Sequence, residues 1–345
     1  MKQVVITGAT GAIGRALITE SIKNGYEVLA VIHRSSQRAK DLENIEHCRL
    51  LRLDLSEYRD ALAEMEKQGI EWSANSSKMT NPVEAILSDL SDSTDIAINR
   101  TQANSGNIFF HLAWEAPFGA GRDDLKLQMR NVRAAVEAVD FARKLGCQTF
   151  VGTGSQAEYG RVCTSMRPDT PTNPETGYGS AKLCAGYLTR YYAEQSGMRH
   201  IWARILSVYG PYDRAETMIS TAVSRMIRNE KTEFSPCEQI WDYLYSEDAA
   251  RALLLAGEKG ISGKTYVVGS GEAHPLRWYI ERIAEITGYT KAIGFGKRLY
   301  NENQVMHLVA DISELTKDTG FQPEVDFETG IRKMIAVHYP SDTME

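Results

Sequence analysis

Short apolar, β-branched runs alternate with amphipathic segments through the first part of the chain. Gln3–Thr7 reads as a strand, followed by helical spacing over Gly14–Asn24, with Ala16, Leu17 and Ile18 on its apolar face and Gly25 as its stop. Tyr26–His33 and Cys48–Leu53 are the next strands, then Ile108–Ala113 and Gln148–Gly152. Between the last two lies a long amphipathic helix, Asp123–Leu145, ended by Gly146. A further helix over Tyr178–Ser196 leads into a sixth strand, His200–Val208. Strands alternating with helices predict a doubly wound parallel sheet covered on both faces. After Gly210-Pro211 the pattern loosens into helices at Met218–Arg228, Asp248–Gly257 and Leu276–Gly288, with strands at Trp241–Tyr245 and Thr265–Val268. The expectation is an α/β protein in which residues 1–170 form the main domain and 171–199 a helical region. The sheet continues through 200–208 and 241–257, and 210–240 with 265–345 form a smaller, interleaved α/β lobe. Residues 65–107 interrupt this order with the polar, turn-rich runs NSSKMTNP and SDLSDSTD. Met65–Ile70 extends a helix there and Val83–Leu90 forms a short one. Both a partly ordered insertion and a flap beside a substrate fit this stretch.

Composition alters that picture little. The 345 residues are 43% hydrophobic and 24% charged, as a folded chain of ordinary core size requires. A net charge of −6 gives no support for nucleic-acid binding. The five cysteines lack metal or disulfide spacing, and no metal site is expected. The chain shows no charged-then-apolar leader and no long apolar span, so a soluble cytoplasmic protein without a membrane partner is expected.

The chemistry begins at TGATGAIG, between the first strand and the first helix. Gly8 and Gly11 allow a tight turn and close approach to a pyrophosphate, and Gly14 lets the helix pack on the sheet. With Thr10, Ala12 and Ile13 they form a Rossmann-like dinucleotide cradle. After the second strand comes His33-Arg34-Ser35-Ser36, with Arg38 nearby. Guanidinium and hydroxyl groups there suit a ribose 2′-phosphate, which favours NADP(H) over NAD(H); Arg34 and Arg38 as solvated loop charges is the alternative. Asp54-Leu55 is placed to meet the adenine, although Asp54 equally suits a helix cap. Tyr178 and Lys182 are four residues apart and share one helix face, a phenol and an ammonium fit for moving a proton.

Further blocks follow in order: HLAW (111–114), Asn131 in the long helix, GTGSQAEYG (152–160), TGYGSAK (176–182), RILSVYGP (204–211) and WDYLYSEDAA (241–250). With the cradle and Asp54-Leu55 they make the chain resemble the extended short-chain dehydrogenase/reductases, in the nucleotide-sugar epimerase/dehydratase/reductase branch. The resemblance implies a nucleoside-diphosphate sugar bound between cofactor domain and C-terminal lobe, and a homodimer through helices 123–145 and 178–196. It implies that Ser155 polarises the reacting oxygen, with Thr153 as fallback, that Tyr178 exchanges its proton, and that Lys182 tunes the phenol with support from Asn131. Leu112, Ala113, Ile205 and Leu206 would line the cofactor crevice. Trp114, Gln156, Ser207 and Trp241 would face the substrate, and His111 would pack behind the cofactor. His274, before Pro275, reads as a turn residue.

The departures from the family narrow the reaction. The acid/base pair that dehydratases place after the Ser/Thr is here Gln156-Ala157, with Glu158 displaced by one, so 4,6-dehydration is disfavoured. Trp241 stands where many members carry a diphosphate-binding Arg, leaving Arg225 and Arg298 as candidates for that contact. NADPH-dependent reduction of a 4-keto (deoxy)sugar is the first expectation. A 4-epimerase with retained NAD⁺ is the second, and a non-catalytic NADP sensor the third.

Overall fold

A computed structural model of the protein describes residues 2–72 and 106–339. The expected helix at Val83–Leu90 lies outside them. In chain order the first part comprises β1 (Lys2–Thr7), α1 (Ala12–Lys23), β2 (Tyr26–Ile32), β3 (Cys48–Arg52), α2 (Ala61–Lys67), β4 (Ile108–His111), α3 (Leu125–Lys144), β5 (Thr149–Ser155), α4 (Gly177–Gln195) and β6 (Arg199–Ile205). The remainder comprises β7 (Ser207–Tyr209), α5 (Met218–Ile227), β8 (Ile240–Trp241), β9 (Tyr243–Tyr245), α6 (Ser246–Lys259), β10 (Thr265–Val268), β11 (His274–Pro275), α7 (Leu276–Thr287), β12 (His307–Leu308), α8 (Ser313–Thr319) and α9 (Phe327–His338).

Seven strands form one parallel sheet in the order β10-β6-β5-β4-β1-β2-β3. The chain winds outward from β1 through β2 and β3, then restarts on the other side with β4. The crevice between the carboxyl ends of β1 and β4 is where ligands bind in such sheets. Alternation along the strands feeds two buried layers. Val4, Ile6, Val28 and Ala30 pack with Leu17 of α1 and Leu253 of α6. Val5, Leu29 and Val31 face the opposite layer, with Val139 and Phe141 of α3 and Ala193 of α4. This is the doubly wound α/β fold that the periodicity predicts.

Several boundaries differ for local reasons. β4 stops at His111 because the Thr7 hydroxyl oxygen accepts the N–H groups of Leu112 and Ala113, each at 3.2 Å. The expected single strand His200–Val208 divides at Leu206, and β7 leaves the main sheet to pair with β9. Trp241–Tyr245 likewise divides at Asp242. That buried carboxylate accepts main-chain N–H groups from Ser270 (2.8 Å), Gly271 (3.0 Å) and Ala310 (3.1 Å), so two distant segments meet on one side chain. β8 therefore pairs with β11 and β12 in a separate small sheet. His274 lies in β11 and stacks on Trp278, with ring centroids 4.0 Å apart, rather than sitting in a turn. Helices α8 and α9 have no counterpart in the sequence-based expectation. Among the described residues no helix is long and apolar enough to cross a membrane.

The packing of α1 on the glycine turn leaves no room at Gly14. A Cβ there would lie 2.4 Å from the Gly8 carbonyl oxygen and 2.8 Å from Ala9 Cα. Both are backbone atoms and cannot swing aside. Gly14→Ala is expected to cost about 1–3 kcal/mol, read as a lower urea midpoint at unchanged slope.

Candidate active site

The glycine turn meets the loop after β4 at the crevice. Gly8 has φ +70°, and a Cβ on it would lie 2.8 Å from Ala113 N. Gly11 is different: its Cβ would meet only the Gly8 carbonyl oxygen, at 3.5 Å, so the protein itself leaves space there. Among the described residues no side chain caps α1, and its first turn holds no acidic residue. An uncapped helix start, a roomy glycine and the flanking Thr10, Ala12 and Ile13 fit a pyrophosphate. Leu112 and Ala113 face this turn, while Ile205 and Leu206 end the neighbouring part of the sheet, Leu206 N–H donating to Val268 O at 2.9 Å. His111 is buried behind Thr7, whose hydroxyl lies 3.0 Å from its Nδ1. Burial, aided by the Lys182 charge, lowers the His111 pKa to about 3, so the imidazole is neutral.

The loop after β2 differs from expectation in one respect. Arg34 does not stand free for a phosphate: its guanidinium donates to Glu57 at 2.8 Å and to Glu64 at 2.6 Å. His33 Nε2 lies 3.3 Å from Asp54, and its Nδ1 meets Ser35 Oγ at 2.9 Å. Asp54 precedes the short turn Leu55–Asp60 as its cap, in a capping box with Glu57, and also accepts Arg34 N–H at 3.0 Å. The cationic cluster lies elsewhere. Arg38 donates to Tyr212 O, and Arg15 donates to Arg38 O while stacking on the Tyr212 ring at 4.1 Å. Burial, the largest influence, pushes the Arg38 pKa down; Arg15 and Arg214 nearby act in the same sense and Asp213 opposes them. Asp41 pairs with Arg15 at 3.3 Å, yet the buried Arg15 Nε has no partner among the described residues. Arg15, Tyr212 and Arg214 were not anticipated; Arg15 is signalled only by its place directly after the third glycine.

Ser155 ends β5, and Tyr178 and Lys182 sit in the first two turns of α4, whose cap Thr176 accepts Gly179 N–H at 3.0 Å. All three are buried. Burial raises the Tyr178 pKa, and the nearby Ser155 hydroxyl and Arg122 oppose that rise. Arg122 covers the Tyr178 ring at 4.7 Å, a second unanticipated contact. Lys182 Nζ donates to Thr153 O at 2.7 Å and lies 3.9 Å from the centre of the Trp114 ring. Burial brings the Lys182 pKa down to about 7. Trp114 also stands edge-on to Tyr178, at 6.1 Å. Thr153 itself donates to His111 O at 3.0 Å and so braces β4 against β5.

The other anticipated residues are more dispersed. Asn131 exchanges two hydrogen bonds with the Glu115 main chain, at 2.9 and 3.0 Å, and so fixes the loop carrying Trp114 rather than touching Lys182. Trp241 Nε1 donates to Ser207 Oγ at 2.8 Å, which joins these two half-buried residues at the edge of the C-terminal lobe. Gln156 opens the short turn after Ser155. Arg225 is turned to Lys231 O, 3.4 Å away. Among the described residues no three His, Cys, Asp or Glu side chains cluster as metal ligands.

Residues 4–269 match the family model described as the NAD dependent epimerase/dehydratase family. The dTDP-4-dehydro-6-deoxyglucose reductase of Escherichia coli is 25% identical over 96% of this chain and 96% of its own. The UDP-glucose 4-epimerase of Thermotoga maritima, solved with UDP-glucose, superposes with a TM-score of 0.74 at 22% identity over 99% of this chain and 100% of that one. The dTDP-glucose 4,6-dehydratase of Bacillus anthracis, solved with NAD, gives 0.76 at 15% identity over 99% and 98%. The structural likenesses establish the fold, and the matched family model establishes the lineage. The chain belongs to the NAD dependent epimerase/dehydratase family, within the extended short-chain dehydrogenase/reductases.

Proposed function

We propose that the protein catalyses hydride transfer at a carbon of a nucleoside-diphosphate sugar, in the direction of NADPH-dependent reduction of a 4-keto (deoxy)sugar. The convergence of Ser155, Tyr178 and Lys182 carries the redox assignment. Arg15 and Arg38, brought together on Tyr212, favour a cofactor bearing a 2′-phosphate, and hence the reductive direction. Gly8 to Gly14 would hold the pyrophosphate, Asp54 and Leu55 the adenosine, Leu112, Ala113, Ile205 and Leu206 the crevice walls, and Lys182 the nicotinamide ribose. The bound cofactor supplies the hydride. Ser155 hydrogen-bonds the carbonyl oxygen and turns it toward the phenol. Tyr178 gives its proton to the alkoxide as it forms. Lys182, when charged, stabilises the phenolate left behind. Trp114, Gln156, Ser207 and Trp241 line the approach for the sugar nucleotide. Dehydration is disfavoured, since Glu158 is consumed by Arg204 and Gln156-Ala157 cannot exchange protons.

A 4-epimerase with retained NAD⁺ is the second reading. It is favoured by the withdrawal of Arg34 onto Glu57 and Glu64, and by the epimerase among the similar structures. Cofactor content separates the two. Protein that turns over dTDP-4-dehydro-6-deoxyglucose only with added NADPH supports the reductase. Stoichiometric bound NAD⁺ and turnover of UDP-glucose without added cofactor establish the epimerase. In either case Tyr178→Phe is expected to lower kcat by about 10²–10⁴-fold; near-normal turnover removes Tyr178 from the chemistry, whereas cellular function unchanged in Tyr178→Phe revives the non-catalytic sensor.

We also propose a homodimer. Leu125 and Met129 of α3 and Tyr187, Leu188 and Tyr191 of α4 are exposed by 44 to 68%, on the two helices that the family resemblance assigns to an interface. Tyr191→Glu is expected to leave a monomer in sedimentation equilibrium where the unaltered chain is a dimer. A cytoplasmic setting suits a substrate and cofactor that are both soluble nucleotides.

The buried Lys182 makes a pH-dependent demand on stability. Its folded pKa, about 7, lies below the ordinary 10.5, so the unfolded chain binds the extra proton between those values. The burial cost is therefore greatest at and below neutral pH and fades as pH rises toward 10.5. Lys182→Met is expected to abolish turnover yet raise Tm at pH 7, with the advantage shrinking in alkali; a pH-independent difference in Tm contradicts this.

A further inference from the structure

Behind Ser155 lies a buried ionic cluster with no part in the proton relay. Glu158 is fully buried. Its Oε1 accepts Ser155 N–H at 2.8 Å. Trp202 Nε1 donates to both carboxylate oxygens, at 3.1 and 3.2 Å, and Arg204 Nε donates to Oε2 at 2.7 Å. Arg204 also reaches Pro168 O at 3.3 Å and lies 4.6 Å over the Tyr159 ring. Trp202 is wedged between two glycines: a Cβ on Gly154 would lie 2.4 Å from its indole, and one on Gly186 2.8 Å. The carboxylate therefore ties the end of β5 to β6 with little freedom to shift.

Burying a carboxylate and a guanidinium costs several kcal/mol per ion before pairing, and well-packed apolar side chains often stabilise as much. Stability alone does not account for an ion pair here. A hydrogen bond to the main chain of Ser155 does offer a reason. We propose that Glu158 is a positioning residue that fixes Ser155 against Tyr178 and presents one buried negative charge to Tyr178 and Lys182, an inference that rests on the assignment of those three residues to the reaction.

The charges around this group are defined. Arg204 faces Glu158 from β6, and Tyr159 and Asp169 flank the pair from the segment after β5. Arg122 faces Tyr178 from the loop after β4, and His111 of β4 faces Lys182. The Glu158 charge raises the pKa of both Tyr178 and Lys182. Removing it lowers both, and the unpaired Arg204 cation then acts in the same sense.

Glu158→Gln keeps an acceptor for Ser155 N–H and removes the charge. Tyrosinate absorbance, with the Tyr178→Phe titration subtracted, reads Tyr178 without a substrate. Glu158→Gln is expected to move that titration to lower pH. With dTDP-4-dehydro-6-deoxyglucose and NADPH, or UDP-glucose if the enzyme is an epimerase, kcat is expected to fall about ten- to a hundredfold while cofactor Kd holds. An unmoved titration, or a lower Tm with kcat intact, overturns the proposal. Should Glu158→Gln not fold, Trp202→Phe removes one donor and keeps the ring; a lower kcat with the Tyr178 titration in place supports positioning, and unchanged kcat overturns it. Tyr178→Phe separates the two levels. If that variant turns over normally, the site assignment itself fails; if it is inactive while Glu158→Gln is fully active and unshifted, only the role of Glu158 fails.

Discussion

Two loops cross at the centre of this molecule with no side chain between them. The turn after β1 passes the loop after β4 so closely that Gly8 cannot bear even a methyl group, and the Thr7 hydroxyl holds the pair together from below. Everything functional is arranged about that crossing. The helix that follows the turn aims its open amide end into the crevice. The loop after β4 carries Trp114 to the side of Lys182, and β5 and α4 bring Ser155 and Tyr178 to the same edge. A bulkier residue at the crossing would disturb the glycine turn and the edge that carries Ser155 and Tyr178 together.

The site carries more buried charge than stability asks for. Lys182 sits in the interior against an indole ring, its ammonium depressed toward neutrality. Glu158 and Arg204 form a buried ion pair behind Ser155. Interiors accept such groups only when they are paired or hydrogen-bonded. Here the partners are Thr153 O for the lysine and the Ser155 main chain for the glutamate. Stability is thus conceded at the point where the proposed proton transfer needs a fixed and tunable phenol.

The sheet was legible in the sequence because its strands are β-branched runs and its helices carry strong 3.6-residue periodicity; Thr265–Val268 agrees residue for residue. Of the C-terminal lobe, the helices expected at Met218–Arg228, Asp248–Gly257 and Leu276–Gly288 were legible to within two residues, and the small sheets were not. Their strands are two or three residues long, and their ends are set by one distant carboxylate, Asp242, that no local pattern announces. At the candidate site, the glycine turn and the Tyr178–Lys182 spacing were readable because each is encoded within a few residues. The role of Arg34 was not, because its partners Glu57 and Glu64 come from beyond the next strand. Ser155-Gln156-Ala157-Glu158 did hold a local signal: it is a Ser-x-x-Glu capping box, and it folds as one.

The order of strands in the main sheet bears on how the chain can be made. β10, at the sheet's edge beside β6, follows some sixty residues that belong largely to the other lobe. A ribosome therefore releases much of the smaller lobe's scaffold before the main sheet has its last strand. A nascent chain stalled short of Val268 leaves the edge of β6 bare, a surface that chaperones exist to shield.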